Sequence, residues 1–254
     1  MADILTEKAD RVLTLRFNRP QKKNALTPPM YDALAEAIHT AAADADVRVL
    51  LIAGQPDCFC AGNDMGDFLN NPPEGTDTPV ARFMHALHAF EKPVVAAPSG
   101  IAVGVGVTLL LHCDLVYCGE NTKLSLPFAA LGFCPEYAAT YLLPRIMGHQ
   151  RAAELVMLGE PFSAQKALEV GLVNGLRPNA EVEAHARQQA LKMAALPPNA
   201  LKVTKQLMRR WTHATAKEAI DVEASHFIPM LKMPEAREAF IAFAEKRKPD
   251  FSRF

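Results

Sequence analysis

The feature that most constrains this fold is a change of pattern at Pro197-Pro198. Before it, short apolar strand-like runs alternate with helical periodicity; after it, only helical periodicity remains. Ile4 to Ala9 and Val12 to Phe17 alternate apolar and polar residues around Asp10, which predicts two strands and a tight turn. Asn18 to Leu26 reads as a loop. Thr27 then caps a helix beginning at Pro28, with Met30, Leu34, Ala37, Ile38 and Ala41 on its apolar face. Val47 to Ala53 is a buried strand ended by Gly54, and Met65 to Leu69 a short helix. Asn70 to Pro79, rich in Pro, Gly, Asp and Thr, is the stretch expected to be most mobile. Next come a helix over Val80 to Phe90, a strand over Val94 to Ala97, a glycine-punctuated turn over Gly100 to Val107 and a helix over Thr108 to Leu111. Leu115 to Tyr117 and Leu124 to Leu126 read as strands, Arg151 to Leu158 as a helix, and Ser163 as the cap of another through Glu169. Gly171 turns the chain into a last short strand. Beyond Ala180 lie helices over about 182–195, 199–212, 216–227 and 234–246. The expected class is α/β with an all-helical C-terminal segment, divided as 1–196 and 197–254.

Whole-chain properties exclude several functions. With 27 basic against 28 acidic residues the net charge is −1, so no global field draws in nucleic acid or an anionic membrane. The apolar runs, such as Val103 to Leu111, are far shorter than a bilayer span and interrupted by glycine. Met1-Ala2-Asp3-Ile4 lacks the regions of a signal peptide, and Ser252-Arg253-Phe254 only faintly echoes a peroxisomal Ser-Lys-Leu. A cytoplasmic location is expected. Five cysteines match no zinc spacing and read as reduced thiols. His85 and His88, three apart on a helix, lack the further ligands of a metal site, so no metal is expected.

Three stretches carry the chemistry. Gly100-Ile101-Ala102-Val103-Gly104-Val105-Gly106 is not a dinucleotide loop, because Leu109 stands where the third glycine belongs. Its glycines let backbone approach a ligand at a helix start, where N–H groups have no intrahelical partner. Cys60-Ala61-Gly62-Asn63-Asp64 has the same design. Two such loops supply two peptide donors to one developing oxyanion. The third stretch, Leu131-Gly132-Phe133-Cys134-Pro135-Glu136-Tyr137, puts Pro135 at the first position of a helix that Gly148 stops. Glu136 then falls in its first turn, where the dipole favours the ionised form and burial the neutral one. Taken alone, such a residue is ordinarily a dipole partner.

Together with Asn18-Arg19-Pro20 through Asn24-Ala25-Leu26 and the closing Phe243 to Phe251, these stretches resemble the crotonase superfamily along nearly the whole chain. The resemblance implies a spiral of strand-strand-helix turns and a helical segment used to form a homotrimer or a dimer of trimers. It implies an acyl-CoA thioester whose carbonyl rests on two peptide N–H groups, here those of Asn63 and Val105. CoA would be part of the substrate, with no separate cofactor. Lys22 and Lys23 fall in the loop beside the nucleotide, and Ala25 and Ala61 at the adenine and pantetheine contacts. Leu26, Gly62, Asp64, Met65, Gly104 and Gly132 fall beside them in the same motifs. Lys22 and Lys23 read equally well as solvated charges. Enoyl-CoA hydratases in this superfamily hold water between two glutamates; those positions here are Thr108 and Phe128, which argues against hydration. Glu136 instead matches the single glutamate of the peroxisomal-type Δ3,Δ2-enoyl-CoA isomerases. Some crotonase relatives bind RNA, but no aromatic–basic interleaving supports that here.

Overall fold

The computed structural model describes residues 2–70, 75 and 77–254. β1 (Ile4–Ala9) and β2 (Val12–Phe17) form an antiparallel hairpin, with Asp10 and Arg11 both at positive φ, as a two-residue turn requires. Thr27 precedes α1 (Pro28–Ala43). β3 (Val49–Ala53) then pairs parallel with β2. α2 (Met65–Asn70) and α3 (Pro79–Ala89) follow; the Thr78 hydroxyl caps α3 by accepting from the Ala81 N–H. Positions 71–74 and 76, in the stretch expected to be mobile, lie outside the described residues. β4 (Val94–Ala97), β6 (Leu115–Gly119) and β9 (Gly175–Arg177) extend the sheet in parallel, giving the order β1-β2-β3-β4-β6-β9. A second sheet, ordered β5-β7-β8, joins β5 (Ile101–Val103), β7 (Lys123–Ser125) and β8 (Phe162–Ser163).

The strands read as continuous apolar runs because both faces of the main sheet are covered. Leu13, Leu15, Leu50, Ile52, Val94 and Ala96 face the core beneath α1 and α3. Their neighbours Val12, Val49, Leu51, Val95 and Ala97 face α8 (Val182–Ala194), whose Ala186, Ala190 and Ala194 let it lie close on the sheet. Between β5 and α8 run α4 (Val105–Thr108), α5 (Ala139–Met147), α6 (His149–Ala153) and α7 (Ala164–Glu169), the last capped by Ser163. After α8 come α9 (Pro198–Arg209), α10 (His213–Met230) and α11 (Pro234–Ala244). α10 folds back so that Ile220 and Phe227 join the main core, with the Phe227 ring centroid 4.7 Å from that of Phe133. No described helix is long and apolar enough to cross a membrane.

Three local expectations are corrected. The turn expected over Gly100 to Val107 contains β5, whose three residues are too few for a period-two signal, and the helix starts earlier, at Val105. The helix expected over Arg151 to Leu158 is α6 followed by a π-helical turn over Glu154–Leu158, ended by Gly159 at φ 65°. Glu136 is not in a first helical turn. Tyr137 and Ala138 take φ of 66° and 57°, which breaks the helical run, so α5 begins only at Ala139. Gly148 does end it.

Candidate active site

The two glycine loops are laced together by backbone. The Cys60 N–H donates to the Ile101 carbonyl at 3.0 Å, and the Val103 N–H to the Cys60 carbonyl at 2.9 Å. A Cβ on Gly106 would stand 2.6 Å from the Cys60 carbonyl oxygen, so only glycine lets the loops close this far. On the other side, Leu26 bridges Asn63: the Leu26 N–H donates to the Gly62 carbonyl and the Asp64 N–H to the Leu26 carbonyl. That register turns the Asn63 N–H away from Leu26, and no described residue accepts from it. Val105 is the first residue of α4, so its N–H has no intrahelical acceptor. Gly104, before it, takes φ 55° and ψ −118°, and a Cβ there meets nothing within 4 Å. Each braced loop thus keeps one peptide N–H without a backbone acceptor, and the position of a Gly104 side chain is open.

Glu136 is 5% exposed, and its Oε1 is buried without a hydrogen-bond partner. It lines a cavity of about 530 Å³ whose walls include Val80, Met84, Tyr137, Ile220 and Phe227. Burial, first, and the carboxylate of Glu223, second, push its pKa up to about 8, against the opposing side-chain amide of Asn63. That amide is oriented: the Tyr31 hydroxyl donates to Asn63 Oδ1, which leaves the Asn63 NH₂ for Glu136. Tyr31 is fully buried, and desolvation first, then Glu136, holds its phenol well above the usual range, so it stays a donor. A weakly solvated carboxyl with a pKa near neutrality, beside an apolar cavity, suits proton transfer.

Several residues that build this site have no role in it assigned from the sequence. Glu223 lies on α10, 87 positions from Glu136; its Oε1 accepts from the Thr140 N–H at 2.8 Å and from the Thr140 hydroxyl, while Oε2 is buried unpaired. Burial raises its pKa as well. Asn24, fully buried at φ 54°, donates to the Cys58 and Phe59 carbonyls and accepts from the Arg19 N–H, pinning the loop that carries Lys22 and Lys23. His85 and Asp221, 3.0 Å apart, sit on the cavity wall. A buried carboxylate in a helix far along the chain leaves no local pattern, whereas the turn-prone Asn24 beside Lys23 was a readable signal.

The remaining candidates are placed as follows. Lys22 and Lys23 are exposed, and the Lys23 carbonyl accepts from the Ala61 N–H at 3.0 Å. Ala25 and Ala61 are half-buried, while Leu26 and Gly62 are buried. Asp64 Oδ2 pairs with Arg19 at 2.7 Å, and its Oδ1 accepts from the N–H groups of Gly66 and Asp67. Burial alone would raise the Asp64 pKa, yet Arg19 and those N–H groups lower it. Its carboxylate is committed to the fold. Met65 opens α2 and packs on the core. Gly132, at φ 81°, lies against α11, where a Cβ would stand 2.6 Å from the Ala236 nitrogen. Thr108 and Phe128 are both buried, the latter in contact with Phe133, and neither offers a carboxylate.

Residues 7–253 match the family described as enoyl-CoA hydratase/isomerase. The chain belongs to that family. It is 34% identical to the 2,3-dehydroadipyl-CoA hydratase of Escherichia coli K12 over 252 residues, 99% of each chain. It is 33% identical to the peroxisomal enoyl-CoA delta isomerase 3 of Mus musculus over 214 residues, 82% of this chain and 67% of that one. The solved structure of Pseudomonas aeruginosa OdaA superposes with a TM-score of 0.93 at 47% identity, covering 96% of this chain and 99% of that one. The crotonase spiral expected from the motifs is therefore the fold of this enoyl-CoA hydratase/isomerase. Its named relatives divide between hydratases and isomerases, so similarity alone leaves the reaction open and the acid–base residues must choose.

Proposed function

We propose that this enzyme converts 3-enoyl-CoA to trans-2-enoyl-CoA, with Glu136 as the single proton carrier. The observation that carries the proposal is the buried, unpaired Oε1 of Glu136 in an apolar cavity, with Thr108 and Phe128 at the two hydratase positions. Glu136 takes a proton from C2, which the thioester carbonyl and the adjacent alkene acidify. The electron pair moves through the former C3–C4 double bond as a dienolate, whose oxygen rests on the N–H groups of Asn63 and Val105. The same carboxyl returns the proton to C4. Positioned base catalysis is worth typically 10²–10⁴-fold, and one oxyanion donor roughly 10²–10³-fold.

CoA enters as part of the substrate. Lys22 and Lys23 would meet its phosphates, and the backbone at Ala25, Leu26, Ala61 and Gly62, with Met65 and Gly104, would line its path. Asp64 and Gly132 would serve that path indirectly, because their contacts are with Arg19 and α11. Hydration is the second reading, since Glu223 places another carboxylate near Glu136. Its Oε1 is engaged by Thr140, which disfavours it as a water anchor. Separate incubations with 3-hexenoyl-CoA and 2-hexenoyl-CoA test the choice. Formation of the conjugated 2-enoyl product from the first supports isomerisation. Rapid 3-hydroxyhexanoyl-CoA formation from the second, with no double-bond shift from the first, overturns it.

A further inference from the structure

Two successive residues beside Glu136, Tyr137 and Ala138, stand in the left-handed region, which an aromatic residue seldom occupies. Such a conformation persists only where its surroundings hold it. The surroundings are visible. His112 Nε2 lies 2.9 Å from the Tyr137 carbonyl, and the two rings stack at 3.9 Å between centroids and 19° between planes. A carbonyl only accepts, so Nε2 carries the proton. His112 closes the 3₁₀ turn Leu109–His112 that continues α4, the helix whose first residue is Val105. One short segment therefore begins at a candidate oxyanion donor and ends on the backbone next to the candidate base.

A second layer keeps His112 in place. His88 Nδ1 lies 3.3 Å from His112 Nδ1, and His88 Nε2 lies 3.1 Å from the His213 carbonyl. Arg209 reaches His88 Nδ1 at 3.0 Å and the His88 carbonyl at 2.9 Å. Burial first, then Arg209, lowers the His88 pKa to about 3, and burial lowers that of His112 as well. Both rings stay neutral, each with its Nε2 proton committed to a carbonyl, so the two unprotonated Nδ1 atoms share no hydrogen bond: Arg209 donates to that of His88, and His88 holds His112 by edge-on packing, with ring centroids 5.4 Å apart.

We propose that His112 is a positioning residue, whose Nε2–H and ring hold the left-handed Tyr137 so that Glu136 is aimed at the carbon from which it takes a proton. The proposal rests on Glu136 being the base. His112→Phe keeps a stacking ring and removes the donor; His112→Gln loses the ring and keeps a donor at the same reach. Each variant is checked for folding by circular dichroism and assayed with 3-hexenoyl-CoA beside Glu136→Gln. His112→Phe is expected to lower kcat by about 10²-fold, the loss typical of a misplacement near 1 Å. KM should stay within about twofold, because substrate contacts are untouched. His112→Gln should recover at least about tenfold of that loss. In the Glu136→Gln background, His112→Phe should cost nothing more. Where the Phe variant fails to fold, His112→Met, which fills the space without a donor, takes its place.

A folded His112→Phe with wild-type kcat, while Glu136→Gln is inactive, overturns the proposal and leaves the base assignment standing. Equal losses in the Phe and Gln variants overturn it too, since packing alone would then account for them. Wild-type turnover by Glu136→Gln removes the base assignment, and the proposal with it.

Discussion

Glu136→Gln tests the site through stability as well as rate. The substitution keeps size and removes the ionisable group. In the unfolded chain the carboxyl titrates near its ordinary 4.5; in the fold it titrates at about 8. Between those values the native state holds a proton that the unfolded state has released, so wild-type stability falls as pH rises. Below about 4.5 the carboxyl is neutral in both states and costs nothing. Above about 8 it is charged in both, and the cost levels off at a ceiling of about 5 kcal/mol. The Gln amide brings its own unsatisfied donors into the cavity, worth about 1–3 kcal/mol. A net gain of about 2–4 kcal/mol over wild type at pH 9, reversing to a loss of about 1–3 kcal/mol at pH 4.5, is therefore expected. Urea unfolding of both proteins across that range measures it. Isomerisation should drop by at least about 10³-fold, since no second carboxylate takes over. A parallel pH dependence in the two proteins would show that Glu136 is not held in a strained, buried state. A Gln variant that isomerises at near wild-type rate would end the single-base mechanism. An ordinary dipole partner gives the opposite pattern, a loss of about 0.3–1 kcal/mol with activity intact.

Because the free enzyme must ionise Glu136 to use it, kcat/KM should rise with pH through about 8. Glu223→Gln removes a neighbouring carboxylate and should move that limb to lower pH; an unmoved limb would disconnect the two groups. Gly104→Val forces a side chain onto φ 55° and into the open space beside the Val105 N–H, so it should abolish turnover while circular dichroism stays native. Near-normal kcat in that folded variant would take the second loop out of the oxyanion site. Met208 and Trp211, 79% and 82% exposed at the end of α9, leave an apolar face that we expect a trimer or dimer of trimers to cover. Light scattering that gives a monomer at micromolar concentration would refute this.

Elements with clear apolar periodicity or a side-chain cap were legible: the hairpin around Asp10, α1 by its apolar stripe although the Thr27 side chain makes no capping hydrogen bond, α7 behind the Ser163 cap, and the helices after Pro197. β5 was not, since its three residues, paired with Lys123–Ser125 and bridged to Cys60, owe their extension to partners elsewhere in the chain. The glycine loops could be found because close approach selects for residues without a Cβ. Which of their N–H groups stay unpaired depends on the Leu26–Asn63 register, a long-range fact. The helix expected at Pro135 failed for a similar reason. Local rules favour a helical start after proline, but the His112 contact and the Glu223 cap at Thr140 pull Tyr137 and Ala138 into left-handed conformations.

That failure lies where the chemistry is proposed to occur. A Glu136 in the first turn of α5 would face free N–H groups, which lower a carboxyl pKa and weaken the base. The kink separates them. Thr140, at the start of the helix, gives its N–H to Glu223, while Glu136 stays four residues upstream among largely apolar walls with Oε1 unpaired. Glu223 thus acts twice: it occupies a helix-terminal donor that would stabilise a carboxylate, and its own charge raises the Glu136 pKa. Both effects come from α10, in the all-helical segment after Pro197, so a part of the chain that carries no recognisable catalytic motif adds to the shift that burial gives the proposed base. Replacing Glu223 should therefore change the pH profile more than the affinity for the thioester, because its hydrogen bonds beyond α10 among the described residues are made at Thr140 and Cys134 and not in the glycine loops.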